Sequence, residues 1–182
     1  MSKSQPVYVT VTRQDVTREQ LHTGMWLWFN EADAVSIYTL VHAALTVLND
    51  VGRKQGFSSH VYNKEMHKTF GKRLTMAPNF FKHANTDPHK ALRFCPGLTE
   101  LWMFDAANLY GKIYGSWTPM MRTFGCRFLL EHELAARVLP TELQEFLPQG
   151  ILIEQINKLG RTEFFEEVYP LFREEGPSNI VP

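Results

Sequence analysis

The run Met76-Ala77-Pro78-Asn79-Phe80-Phe81-Lys82-His83-Ala84-Asn85-Thr86-Asp87-Pro88-His89 gathers two imidazoles, a carboxylate, an ammonium and two phenyl rings into one short connection between helical patterns. Imidazole and carboxylate exchange protons or ligate metals, and apolar rings beside them can wall a pocket. His83, Asp87 and His89 offer nitrogen and oxygen donors to a divalent metal such as zinc, but their spacing matches no recognised metal motif and Pro88 restricts how the loop closes. The plainer reading is that Phe80 and Phe81 anchor the connection while Asn79 and His83 satisfy backbone groups near it.

Tyr38, His42 and Asn49 line one edge of an amphipathic stretch, offering a phenol, an imidazole and an amide to a ligand or to a neighbouring helix. Together with the connection, the ligand-binding candidates are Tyr38, His42, Asn79, Phe80, Phe81, Lys82, His83 and Asp87.

Metal-independent RNA cleavage needs a cation beside the scissile phosphate and an imidazole to move a proton. Helical ribonucleases of the HEPN class carry an Arg, four to six residues, then a His. Arg53 with His60 and Arg127 with His132 fit that spacing, at a frequency expected by chance. The catalytic candidates are His83, His60 and Arg53, with Lys82 as a second phosphate-holding cation. On one continuous helix Arg127 and His132 point about 140° apart. His132 then shares an arc with Met121, Phe124, Phe128 and Ala135 and reads as a core histidine, and Arg127 with Glu131 reads as an ordinary i,i+4 pair. Asp105, at the border of the most apolar helix, is the carboxyl most open to perturbation. Its expected role is a hydrogen bond to the start of another helix.

The elements that hold these groups are helical. Thr17-Arg18-Glu19-Gln20 has the form of a capping box and opens a helix to about Asn30. From Asp33 to Arg53, Ile37, Leu40, Val41, Ala44, Leu45, Leu48 and Val51 fall in one arc. A shorter helix spans 63–74, and Pro78 opens a turn through Ala84. Residues 98–114 are apolar around most of the circumference and belong in the core, with Gly115 as the stop. Thr118-Pro119 starts a helix to about Leu139, short helical patterns flank Pro148-Gln149-Gly150, and a last helix covers 163–174, where Pro170 kinks or ends it. Val7-Tyr8-Val9-Thr10-Val11-Thr12 alternates like a short strand, and with Trp26, Trp28 and Phe29 it suggests a homodimer contact. The expectation is an all-α, single-domain bundle of six to eight helices, with an arm over 1–15, a helical body over 16–175 and a loose tail over 176–182.

At 182 residues the chain suits one core, with 44% apolar and 13% aromatic residues to fill it. Nineteen basic residues balance nineteen acidic ones, so net charge gives no support to nucleic-acid binding. Cys95 and Cys126 lack metal spacing. With no hydrophobic leader or membrane-length apolar run, they read as reduced thiols of a cytoplasmic protein. Phosphate-binding Gly-rich loops, nucleophile elbows and His-Glu-x-x-His are absent, so a cofactor, if any, is unnamed.

Asp33-Ala34-Val35-Ser36-Ile37-Tyr38-Thr39-Leu40, Asn79-Phe80-Phe81-Lys82-His83-Ala84 with Asp87-Pro88, and Leu98-Thr99-Glu100 with Asp105-Ala106 and Tyr110 together resemble an uncharacterised family of small bacterial helical proteins, over about residues 17–130. That resemblance implies a helical fold and no specific activity. It also implies that His83, Asp87, Glu100 and Asp105 belong to one recurring pattern. The leading functional expectation is binding of a small ligand or protein partner, with metal-independent ribonuclease and divalent-metal binding as the alternatives.

Overall fold

Thr12 rather than Thr17 opens the first helix. Thr12 Oγ1 accepts from the Asp15 amide and Asp15 Oδ2 accepts from the Thr12 amide, both at 3.1 Å. This is a reciprocal capping box with Asp in the place usually held by Glu or Gln. Thr17 lies inside the helix and its hydroxyl donates to the Arg13 carbonyl at 2.9 Å.

The structure is a computed structural model that describes residues 7–70, 73–82, 89, 91–132 and 153–175. Its helices are α1 (Arg13–Phe29), α2 (Ala34–Arg53), α3 (Lys64–Phe70), α4 (Arg73–Lys82), α5 (Gly97–Tyr114), α6 (Pro119–Glu131), α7 (Ile153–Ile156) and α8 (Arg161–Glu175). The architecture is an all-α single-domain bundle, with no strand among the described residues. Residues 7–12 carry no regular structure and are exposed. The expected tail, 176–182, lies outside the described residues.

The apolar arc of α2 forms the central seam. Ile37, Val41, Ala44, Leu45 and Leu48 are buried where α2 packs against both α1 and α5. Gly24 of α1 permits close approach there, since a Cβ on it would stand 3.1 Å from Val41 Cγ2. α2 alone among the described residues is long and apolar enough to cross a membrane, and in the bundle its stripe is this seam.

α5 contributes Trp102, Met103, Ala106, Ala107 and Leu109 to the core and ends at Gly115, whose φ of 87° is the left-handed conformation that glycine adopts freely. Thr118 caps α6, accepting from the Met121 amide at 3.3 Å, with Pro119 in the first turn. α6 in turn holds α8. Arg122 Cζ stands 4.3 Å from the Phe172 ring centre while its Nη2 donates to Glu175 Oε2 at 2.8 Å, and Arg127 Cζ is 5.3 Å from the Phe164 ring.

Two helix boundaries depart from the sequence pattern. Pro78 sits inside α4, buried against Tyr38 and Phe81, so packing carries the helix through it. α6 stops at Glu131 because His132 leaves helical backbone at φ −108°, ψ 80°. Residues 133–139, over which that helix is expected to continue, lie outside the described residues.

Candidate functional site

Tyr38 and His42, one turn apart on α2, are buried in an aromatic cluster. Their rings stack at 5.8 Å; Phe81 of α4, Phe94 and Trp102 of α5 meet Tyr38 at 5.3, 5.1 and 4.9 Å. Tyr62 Oη and His42 Nε2 are 2.7 Å apart. The space left among Tyr38, Thr39, His42, Pro78 and Phe81 is about 10 Å³, no more than one water molecule occupies. The Tyr38 hydroxyl is buried with no hydrogen-bond partner among the described residues, and burial, with Tyr62 nearby, pushes its ionisation well above the ordinary phenol value. Of the other expected ligand residues, Asn79 and Phe80 are exposed, and Lys82 closes α4. His83 and Asp87 lie outside the described residues. His89, the third residue of the metal alternative, is exposed, and among the described residues no three His, Cys, Asp or Glu side chains are placed to hold a metal ion.

Asp105 is an anchor for the loop after α2. Its Oδ2 accepts from Ser59 Oγ at 2.5 Å and from the Val61 amide at 3.2 Å, and its Oδ1 accepts from the His60 amide at 3.0 Å. Asn49 Oδ1 takes the Ser59 amide at 3.3 Å. These bonds fix the loop backbone and leave the His60 side chain exposed. Arg53 is exposed at the end of α2. Neither lines the cleft described next.

Where α1, α5, α6 and α8 meet, two arginines, two glutamates and a histidine form one network. Glu100 Oε1 accepts from the Trp28 indole N–H and from Arg161 Nη2, both at 2.9 Å. Glu100 Oε2 lies 3.2 Å from His132 Nε2. Glu131 Oε2 accepts from Arg161 Nη2 at 2.9 Å, and its Oε1 accepts from Arg161 Nε at 3.2 Å and from Arg127 Nε at 2.7 Å. Burial by itself pushes the Glu131 carboxyl up. The Arg161 and Arg127 guanidiniums overturn this and hold it below its ordinary value. Burial likewise pulls Arg161 down, and Glu131 and Glu100 lift it above its ordinary value. Arg127 and His132 are therefore linked, through Glu131, Arg161 and Glu100, although a continuing helix would have turned them apart. The early end of α6 frees His132 to turn back toward Glu100, its ring 4.5 Å from Phe128.

Beside this network opens a cleft of about 290 Å³, lined by Trp28, Glu31, Ala32, Ala34, Ile37, Pro96, Thr99, Glu100 and Arg161. Three local features shape it. The α1–α2 turn forms one wall, where Ala32 donates to the Leu27 carbonyl at 2.9 Å and Glu31 to the Trp28 carbonyl at 3.1 Å, the bonding of a Schellman motif. The first turn of α5 forms the opposite wall. Arg161, at the start of α8, lies 3.9 Å over the Trp28 ring and closes one end. Thr99 carries a buried hydroxyl without a hydrogen-bond partner among the described residues. Apolar floor and convergent polar groups are the ordinary make-up of a small-molecule site.

Sequence reasoning placed Trp28 in the core and Glu100 in a motif, but it assigned neither Glu31, Thr99 nor Arg161 to a site. Arg161 is 61 residues from Glu100 and 30 from Glu131, so no local spacing joins them. The one sequence signal was an Arg directly after Gly160, ahead of the apolar face of the last helix.

No protein-family model matches this chain, and neither a curated protein nor a solved structure is detectably similar to it.

Proposed function

We propose that this protein binds a small organic ligand in the cleft between the α1–α2 turn and the start of α5. The observation that carries the reading is the cleft itself. It is close to the lower end of the size range of small-molecule sites, and Ile37, Pro96, Ala32 and Ala34 form an apolar surface beside Glu31, Glu100, Thr99 and Arg161. The aromatic cluster around Tyr38 and His42, by contrast, is filled by its own rings. Ligand-observed NMR with a small-fragment library on the wild type and on Ala34→Trp tests this. The indole would fill the cleft from the first turn of α2. Fragments that bind the wild type lose their signal with the variant, whereas fragments that bind both equally would place binding elsewhere.

A second reading rests on Arg127 and His132, which have the spacing of HEPN-type ribonucleases and belong to one network through Glu131, Arg161 and Glu100. Both basic groups here face carboxylates, and a phosphate would have to displace Glu131 from Arg127 and Arg161. That competition favours the ligand-binding reading. RNA cleavage in EDTA that disappears with His132→Ala, or with His60→Ala for the pair Arg53 and His60, would reverse the order of the two.

A further inference from the structure

Glu31 is in an unfavourable place for a glutamate, for two separate reasons. Its φ is 51°, the left-handed position after a helix end where glycine is the usual residue. It also sits at the carbonyl end of α1, whose last turn carries no basic residue. A carboxylate there meets the negative end of the helix dipole. The backbone bonds of the Schellman turn hold the residue in the wall of the cleft, where its carboxylate is exposed to solvent and makes no hydrogen bond or ion pair with another described residue.

The other charged features at the cleft are already matched. At the start of α2, Asp33 accepts from the Ser36 amide at 2.8 Å. At the start of α5, Glu100 lies in the first turn. Arg161 is bound to Glu100 and Glu131, and Glu100 is bound to Trp28, Arg161 and His132. Among the cleft-lining residues two carboxylates face one guanidinium. Glu131 and Arg127, behind them, cancel one another. The unmatched charge at this cleft is therefore negative, and it lies at Glu31.

We infer that the cleft selects a ligand with a cationic head, a primary ammonium or an amidinium on a small apolar body, and that Glu31 is the residue that takes the head. This inference rests on the ligand-binding reading above and adds the ligand's charge to it. The ammonium donates to the Glu31 carboxylate, while the apolar body lies on Ile37 and Pro96. Glu31 would then be the residue that makes the cleft prefer a cation to a neutral or anionic ligand of the same shape.

The test uses three probes of one shape, benzylamine, benzyl alcohol and benzoate, added to the full-length 15N-labelled protein, with the backbone amides of Glu31, Ala32 and Thr99 and the Trp28 indole N–H as reporters. The expected result is that benzylamine binds about tenfold more tightly than benzoate, and that Glu31→Gln removes about tenfold of the benzylamine affinity while leaving benzyl alcohol unchanged. Glu31→Gly is expected to raise the melting temperature and yet weaken benzylamine, which separates a binding role from a folding one. Benzoate binding as tightly as benzylamine, or Glu31→Gln leaving benzylamine unaffected, overturns the cationic preference while the cleft remains a binding site. If none of the three probes moves any reporter, the ligand-binding reading falls with it.

Discussion

Arg161 and Trp28 are joined twice. The guanidinium lies 3.9 Å over the indole ring, and Arg161 Nη2 donates to the same Glu100 oxygen that accepts the indole N–H. Two hydrogen bonds thus converge on one carboxylate from residues 133 positions apart in the chain, and the bond from Thr162 Oγ1 to the Phe29 carbonyl spans the same separation beside them. α8 is keyed to the end of α1 at this point, and the cleft is its outer edge.

Arg161→Ala should therefore destabilise the fold by about 2 kcal/mol, below the value for a fully buried pair because the side chain is partly exposed. Arg161→Lys should recover little of it, since an ammonium can neither stack flat on the indole nor reach two carboxylates as a fork. Urea unfolding of the three proteins measures this. Equal stability of the Lys variant and the wild type would mean that charge alone matters here.

Acid should weaken the fold in two stages. Burial holds His22 below its ordinary value of 6.5, so the unfolded chain takes up this proton first and stability falls as pH drops below that value. Glu131 is held below its ordinary value of 4.5, so its contribution is complete above that pH and is lost as pH falls from there through the folded-state value. Glu131→Gln is expected to be less stable at neutral pH and to lose less melting temperature below the glutamate range. Parallel melting curves against pH for the variant and the wild type would remove Glu131 from the account.

Asp105 holds three donors of the loop after α2, so Asp105→Ala should cost about 3 kcal/mol by leaving buried donors unmatched. The expected signature in hydrogen exchange is loss of protection at the His60 and Val61 amides beyond the global change. Unchanged protection at those two amides would show that the loop is held by other contacts.

Local signals in the sequence carried much of this fold. The α2 stripe was readable because five of its positions bury against two neighbours at helical spacing. Gly115 and Thr118-Pro119 were readable because turn and cap chemistry is local. One error was local: Thr12 won over Thr17 because an Asp three residues on served in the capping box. Elsewhere a neighbour in space decided the outcome: Pro78 is carried inside α4 by packing on Tyr38 and Phe81, and α6 ends early where His132 meets Glu100. The candidate site was least readable of all. Its glutamates and arginine come from the α1–α2 turn, α5 and α8, and nothing in the residue type of Glu31 announces a left-handed backbone.

The arm over residues 7–12 supports the proposal of self-association. Val7, Tyr8, Val9 and Val11 are exposed at 92, 87, 79 and 59%, the segment is uncharged, and two copies could pair edge to edge without repulsion. Sedimentation equilibrium should reveal a dimer that Val9→Lys dissociates without altering the helical circular dichroism. A monomer at every concentration ends that proposal.

The most direct measurement for the ligand-binding account is a map of amide chemical-shift changes in the full-length protein on adding fragments that bind it. The account predicts that the changes centre on Glu31, Ile37 and Thr99 and vanish in Ala34→Trp. Changes centred on Tyr38, His42 and Phe81, or persisting in the variant, would contradict it.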